Sequence, residues 1–242
     1  MSLPLLKALT DFFFPPLCHI CRTFIPDAGP VHICRSCRDQ MRPVSYPLCQ
    51  VCGIPFAGIG ADHPCGGCLK KPPSFDAARA GFVYDGHCRE LIHAFKYQNK
   101  TLLRRPLALL AGECLTEFVA SQHPDLVVPV PLHRKRLHSR GFNQAVLLGE
   151  LLAHEWRLPL ERRALQRIRW TEPQLSLSAD ERRENVTGAF AVANSVAVAG
   201  KRVLLVDDVL TTGSTVEECS RMLKRAGALN VVVATVARTV LS

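Results

Sequence analysis

Two adjacent carboxylates, Asp207 and Asp208, stand directly after the apolar run Val203-Leu204-Leu205-Val206 and directly before Val209-Leu210-Thr211-Thr212-Gly213-Ser214-Thr215. An apolar strand that ends in a hydroxyl-rich loop opening a helix has the parts of a phosphate cradle. Backbone N–H groups at a helix N-terminus favour an anion, Gly213 permits close approach, and the hydroxyls of Thr211, Thr212, Ser214 and Thr215 add donors. Ionised carboxylates only accept hydrogen bonds. Asp207 and Asp208 therefore suit the two hydroxyls of a ribose, or a Mg2+ that bridges ribose and pyrophosphate oxygens. The segment lacks the Gly-Lys-Ser/Thr ending of a P-loop and the Gly-x-Gly-x-x-Gly of a dinucleotide fold.

A second cluster follows the apolar stretch ending at Val130: the run His133 to Arg140 holds Arg134, Lys135, Arg136 and Arg140. A charge run is ordinarily a solvated face. Here it falls at the end of a buried strand, beside a second strand end built for phosphate, where cations offset the charge of a pyrophosphate. We expect a basic loop at the mouth of the site. Farther on, Arg167 to Phe190 is long, polar and weakly periodic, which suits a lid that excludes water from an oxocarbenium-like sugar. Arg182 or Arg183 would then stabilise the departing pyrophosphate, joining Asp207 and Asp208 as candidate catalytic residues.

Eight of the 11 cysteines precede residue 70, and all eight form Cys-x-x-Cys pairs: Cys18/Cys21, Cys34/Cys37, Cys49/Cys52 and Cys65/Cys68. The pairs are separated by 12, 11 and 12 residues, the regularity of two copies of one unit. No export signal is evident, so the compartment is expected to be cytoplasmic and reducing and the thiols to be metal ligands. Eight thiolates satisfy two structural, tetrahedral Zn2+ sites with none left over. Sequential pairing is the simplest arrangement, interleaving is the alternative, and a rubredoxin-like iron site is the chemical rival. Cys88, Cys114 and Cys219 sit in helix-like apolar patterns and are given no role. Arg22, Arg35, Arg38 and Arg42 are candidates for a nucleic acid surface on the metal-binding segment.

These groups need a scaffold. The chain has 242 residues, 48% of them hydrophobic, enough for one ordinary domain and a satellite. A formal charge of +9 and a pI near 9.2 favour phosphorylated partners. Leu3, Leu6, Leu9 and Phe13 recur at helical spacing, so residues 1–16 read as a short amphipathic helix. Residues 17–72 form the metal-binding domain, closed by the breaker Lys70-Lys71-Pro72-Pro73. In residues 73–242, Ala77 to Tyr84, Asp125 to Val130, Lys201 to Asp207 and Asn230 to Ala237 read as strands. Cys88 to Tyr97, Leu102 to Ala120, Phe142 to Trp156 and Ser214 to Arg225 read as helices. That alternation implies an α/β fold with a doubly wound, mainly parallel sheet, whose ligands bind at the C-terminal ends of the strands. No stretch approaches the ~20 consecutive apolar residues of a membrane span.

The segment Val203 to Thr215, including Val206, resembles the 5-phosphoribosyl-1-pyrophosphate (PRPP) signature of type I phosphoribosyltransferases. The resemblance implies that Asp207 and Asp208 contact the ribose hydroxyls and that Thr211 to Thr215 hold the 5-phosphate, with Mg2+ accompanying PRPP. Pro129-Val130-Pro131-Leu132-His133, Arg140-Gly141-Phe142-Asn143-Gln144, Glu181-Arg182-x-x-Asn185-Val186 and the cysteine pairs extend the likeness to nearly the whole chain, which resembles the ComF family. That family has an N-terminal double zinc ribbon and is linked to natural transformation. Single-stranded DNA and DNA-uptake proteins are the partners it implies, and a dimer is compatible with it. Three readings stand: a PRPP-binding accessory of DNA uptake, an active phosphoribosyltransferase with a nitrogenous acceptor, or a sensor in which PRPP switches binding by the ribbon. No segment announces the acceptor.

Overall fold

A computed structural model describes residue 13 and residues 15–26, 28–171 and 179–240, apart from the side chains of 179, 180, 182 and 183. The expected N-terminal helix lies almost wholly outside the described residues. The elements run α1 (Arg35–Asp39), α2 (Gly66–Lys70), β1 (Ala77–Val83), α3 (Gly86–Tyr97), a 3-10 turn (Thr101–Leu103), α4 (Arg104–Gln122), β2 (Leu126–Pro129), α5 (Arg134–Arg140) and α6 (Gln144–Glu155). They continue with β3 (Leu165–Arg167), α7 (Ala179–Val186), β4 (Phe190–Val192), α8 (Ser195–Val198), β5 (Arg202–Leu210), α9 (Ser214–Arg225) and β6 (Asn230–Arg238).

The four long apolar runs form one sheet in the order β1-β6-β5-β2, every neighbouring pair parallel. A parallel sheet needs both faces covered, and its inner strands are correspondingly continuous in apolar residues rather than alternating. Side chains of alternate residues divide between two cores. Val127, Leu204, Val206, Val232, Ala234 and Val236 face α3, α4 and α6. Leu126, Val128, Val203, Leu205, Val231 and Val233 face α9 and the β3–β4 pair, which is antiparallel. The sheet is thus doubly wound, as the alternation of elements implied.

The metal-binding segment is part of this core and not a loose satellite. Cys18, Ile33, Cys37 and Met41 share a cluster with Leu91, Phe95 and Leu107, while Val51 and Cys52 pack against the other. The same segment covers the outer edge of β1. Val44 N–H donates to Gly81 O at 3.0 Å, Val83 N–H to Arg42 O at 2.8 Å, and Ala78 N–H to Val51 O at 2.6 Å. An edge strand left bare would invite pairing with another chain.

Phe95 is fully buried and tilts against Phe142 with ring centroids 5.4 Å apart. Truncation leaves a cavity between α3 and the start of α6, so Phe95→Ala is expected to cost about 3–5 kcal/mol in urea unfolding. Among the described residues no helix is long and apolar enough to cross a membrane.

Candidate functional site

β5 runs further than the apolar pattern indicated. Asp207 pairs with Thr235 and Val209 with Ala237 before the strand ends at Leu210, so the two acids lie within the sheet at its C-terminal edge. Gly213 then takes a left-handed conformation, φ +80°, as the residue that opens α9. Any other residue at this N-cap would be strained, which explains the glycine better than close approach alone. The first turn of α9 presents backbone N–H groups without intrahelical partners. Asp207, Asp208, Thr211, Gly213, Ser214 and Thr215 line a cleft of about 590 Å3. Thr212 instead turns its hydroxyl to Ser214 Oγ at 2.9 Å, and Val206 is fully buried in the sheet.

The opposite wall is a helix, not the loop expected. His133 caps α5, its Nδ1 accepting from Lys135 N–H, and Gly141 ends it at φ +79°. Of the four cations, Arg136 and Arg140 line the cleft, whereas Arg134 and Lys135 are exposed and do not. The helical turn is the reason, since neighbouring residues project about 100° apart and cannot all face one cleft. Aromatic faces hold the two that do, and Lys135 Nζ also lies 5.8 Å from the Trp170 ring centre. Arg136 lies 5.5 Å from the Trp170 ring centre and Arg140 5.1 Å from that of Tyr97. Arg140 also donates to Gln144 Oε1 at 2.8 Å, and Asn143 caps α6 while donating to Val130 O.

Above the cleft, Arg167 and Trp170 come from β3 and the residues just after it. The β3–β4 pair is tied to α9 where Gly188 N–H donates to Glu218 Oε1 at 2.8 Å. Residues 172–178 lie outside the described residues. Arg182 and Arg183 fall on α7, and their side chains are likewise outside them.

The acid pair has a third member that the sequence did not announce. Lys96, on α3, places Nζ 2.8 Å from Asp208 Oδ1, with both side chains largely enclosed. Tyr84 and Tyr97 line the same wall. Burial, with the Asp208 charge next, pushes the Asp207 carboxyl up to about 7, although Lys96, the Asp208 amide and Arg167 pull the other way. Burial works against a charged Lys96, but Asp208 and then Asp207 more than offset it and raise its pKa. Burial and neighbouring Arg136 bring Arg167 down to about 10, so it stays cationic at neutral pH.

The cysteines form two sequential clusters, Cys18/Cys21/Cys34/Cys37 and Cys49/Cys52/Cys65/Cys68, with the sulfurs of each within 4.8 Å of one another. Interleaved pairing is thereby excluded. The two units share a hydrogen-bond pattern. Cys18 N–H donates to Thr23 O and Cys49 N–H to Ile54 O, and Cys34 and Cys65 donate N–H to Cys18 Sγ at 3.4 Å and Cys49 Sγ at 3.2 Å. Such N–H···S bonds stabilise thiolates, and closed four-cysteine sets fit structural Zn2+. Arg38 and Arg42 pair with Glu113 and Asp85, and Arg35, with its side chain 95% exposed, lies 3.7 Å from Asp39.

Comparison with known proteins agrees with this division. A family described as "Double zinc ribbon domain" matches residues 9–69, and one described as "Phosphoribosyl transferase domain" matches residues 159–239. The chain is 37% identical over 228 residues to "Competence protein F" of Haemophilus influenzae, covering 89% of this chain and 93% of that protein. It is also 37% identical over 229 residues to "DNA utilization protein YhgH" of Escherichia coli strain K12, covering 93% and 98%. "Competence protein ComFC" of Bacillus subtilis is 25% identical over 198 residues, covering 81% and 79%. Lys96, Arg136 and Arg140 fall outside both matched domain stretches.

Proposed function

This chain belongs to the ComF family, and from that premise we propose that it binds PRPP with Mg2+ in the cleft and serves the handling of single-stranded DNA during uptake into the cytoplasm. The observation that carries the donor assignment is the convergence, on one cleft, of the Asp207-Asp208 strand end, the Gly213 turn and the paired cations Arg136 and Arg140. The first turn of α9, with Thr211, Ser214 and Thr215, would hold the 5-phosphate. Asp207 and Asp208 would accept from the ribose hydroxyls, and the two arginines would meet the pyrophosphate, with Mg2+ neutralising its remaining charge.

Residues 17–72 are taken as the ribbon and 73–242 as the phosphoribosyltransferase-like domain. The exposed cations Arg134 and Lys135, outside the cleft, offer the DNA contact. A second reading is transfer of ribose 5-phosphate to a nitrogenous acceptor, for which Trp170 and Tyr97, each carrying an arginine on one face, are aromatic side chains of the cleft. In that reading Arg182 and Arg183 would approach the pyrophosphate as α7 closes.

Calorimetry with PRPP, with and without Mg2+, tests the donor assignment, and the absence of binding in both would end it. A pyrophosphate-release screen across nucleobases and amines then separates the readings: turnover makes the protein a transferase, and binding alone makes it an accessory. Fluorescence anisotropy with a labelled oligonucleotide tests the DNA contact. Arg134→Glu with Lys135→Glu should weaken binding and flatten its salt dependence by about two charges. Affinity unchanged by the pair would move the contact elsewhere.

A further inference from the structure

Each acid of the pair has one oxygen already occupied. Asp207 Oδ1 accepts the Asp208 N–H at 2.9 Å, and Asp208 Oδ1 accepts Lys96 Nζ at 2.8 Å. Lys96 follows Leu91, Ile92 and Phe95, the buried face of α3, so its ammonium is delivered by a helix that packing fixes. Its side chain is 17% exposed and that of Asp208 10%. A carboxylate so enclosed needs a cation, because its charge is poorly compensated without one.

The groups around the pair come from four elements: Lys96 and Tyr97 on α3, Tyr84 just after β1, Arg167 on β3 and Cys219 on α9. The place beside Asp208 that an oxygen-seeking divalent ion would take is held by an ammonium. We propose that Lys96 is a resident cation of this site, a positioning residue that excludes a divalent ion from the acid pair and leaves one oxygen of each carboxylate for a pair of vicinal hydroxyls. Magnesium then reaches the cleft with the pyrophosphate and not on the acids. Lysine suits the task because its ammonium is a compact point charge on a flexible stem, and arginine can reproduce the charge but not the shape.

Manganese titration of the full, zinc-loaded chain by electron paramagnetic resonance, without PRPP, tests the exclusion. The wild type and Lys96→Arg should show no Asp208-dependent Mn2+ site. Lys96→Met, or Lys96→Gln if the methionine variant does not fold, should gain one Mn2+ site at least tenfold tighter than any residual Mn2+ binding of the wild type, abolished again by Asp208→Asn. An Asp208-dependent site in the wild type overturns the proposal, as does a neutral variant that gains none.

The second arm rests on the reading of the cleft as a PRPP site. In buffer without added divalent ion, the neutral variant should bind ribose 5-phosphate at least tenfold more weakly than wild type, and Mg2+ should restore much of the loss. A loss that Mg2+ does not restore assigns Lys96 to packing and overturns its role as a cation. Failure of the wild type to bind either sugar phosphate would sink the donor reading alone, with the manganese result still deciding the role of Lys96.

Discussion

Withdrawal of zinc by a strong chelator is expected to unfold the whole chain, with loss of the parallel sheet along with the ribbon. The reason lies in where the ribbon packs. Cys18 and Cys37 are buried in the same apolar cluster as Phe95 and Leu107, and Cys52 packs against the cluster on the other face of the sheet. The ribbon also supplies the hydrogen bonds that close the outer edge of β1, and Arg238, at the end of β6, donates to Cys52 O. A structural zinc contributes about 10–16 kcal/mol to the folding of an isolated finger at neutral pH. Whole domains retain only about 5–15 kcal/mol of net stability. Loss of either site is therefore on the scale of everything the fold has to spare.

Calorimetric melting should show one transition in the loaded protein, release of two zinc ions per chain on chelation, and no cooperative transition afterwards. Cys18→Ser and Cys49→Ser should each reproduce much of the effect. Gly53→Ala offers a check that leaves all eight thiolates in place. Gly53 has φ +69°, and a Cβ there would lie 2.3 Å from Ala78 O, so the Cys49/Cys52 knuckle and β1 must separate. Residues 73–242 melting cooperatively after both zincs are gone would show the ribbon to be an autonomous satellite.

What the sequence made legible follows from what each signal depends on. β5 and β6 are buried on both faces, so their composition alone marks them as strands, and the Ser214 to Arg225 helix shows its period over three turns. The cysteine spacing survives as two repeated units because tetrahedral ligation fixes the spacing directly. The end of β5 was misplaced because Asp207 and Asp208 interrupt the apolar run, although hydrogen bonding to β6 continues through Leu210. α5 is hard to tell from a loop because seven residues carrying four cations form no apolar stripe, and its cap His133 belongs to the same basic run, leaving Gly141 as the stop signal beyond it. The docking of the ribbon left no trace in periodicity, since knuckles are irregular and bury cysteines in place of leucines.

Lys96 was missed for a related reason. A lysine beside the apolar face of an amphipathic helix is nearly always solvated, and no local pattern records that an acid far along the chain meets it. The Lys-Tyr pair at residues 96 and 97, following Phe95 with no turn between, was the available signal: Lys96 and Tyr97 both line the cleft, and Tyr97 carries Arg140.

Replacement of Asp207 by asparagine should weaken PRPP binding while leaving the ligand-free protein at least as stable at neutral pH. Burial, then the Asp208 charge, raises the folded-state pKa of Asp207 to about 7 from an ordinary 3.8. A carboxyl raised in this way favours folding while protonated, below its unfolded pKa, and that contribution is lost as pH rises through about 7. Ionised Asp207 is thus a liability to the free protein at neutral pH, and a neutral amide of the same shape removes it. Binding responds with the opposite sign. A hydrogen bond to a charged acceptor is worth about 1.5–3 kcal/mol, so Asp207→Asn should weaken PRPP binding by about 10- to 150-fold.

Asp208→Asn should weaken binding comparably but lower the melting temperature, because it leaves the enclosed Lys96 without its partner. Wild-type affinity should fall as pH drops below 7, by up to the same 10- to 150-fold, and level off above it, since ionised Asp207 is the stronger acceptor. The phosphates of PRPP also titrate near pH 6. Asp207→Asn separates the two effects by keeping the ligand's dependence and losing the protein's. Calorimetry from pH 5.5 to 8.5 on wild type and variant reads both slopes; equal slopes would remove Asp207 from the binding equilibrium.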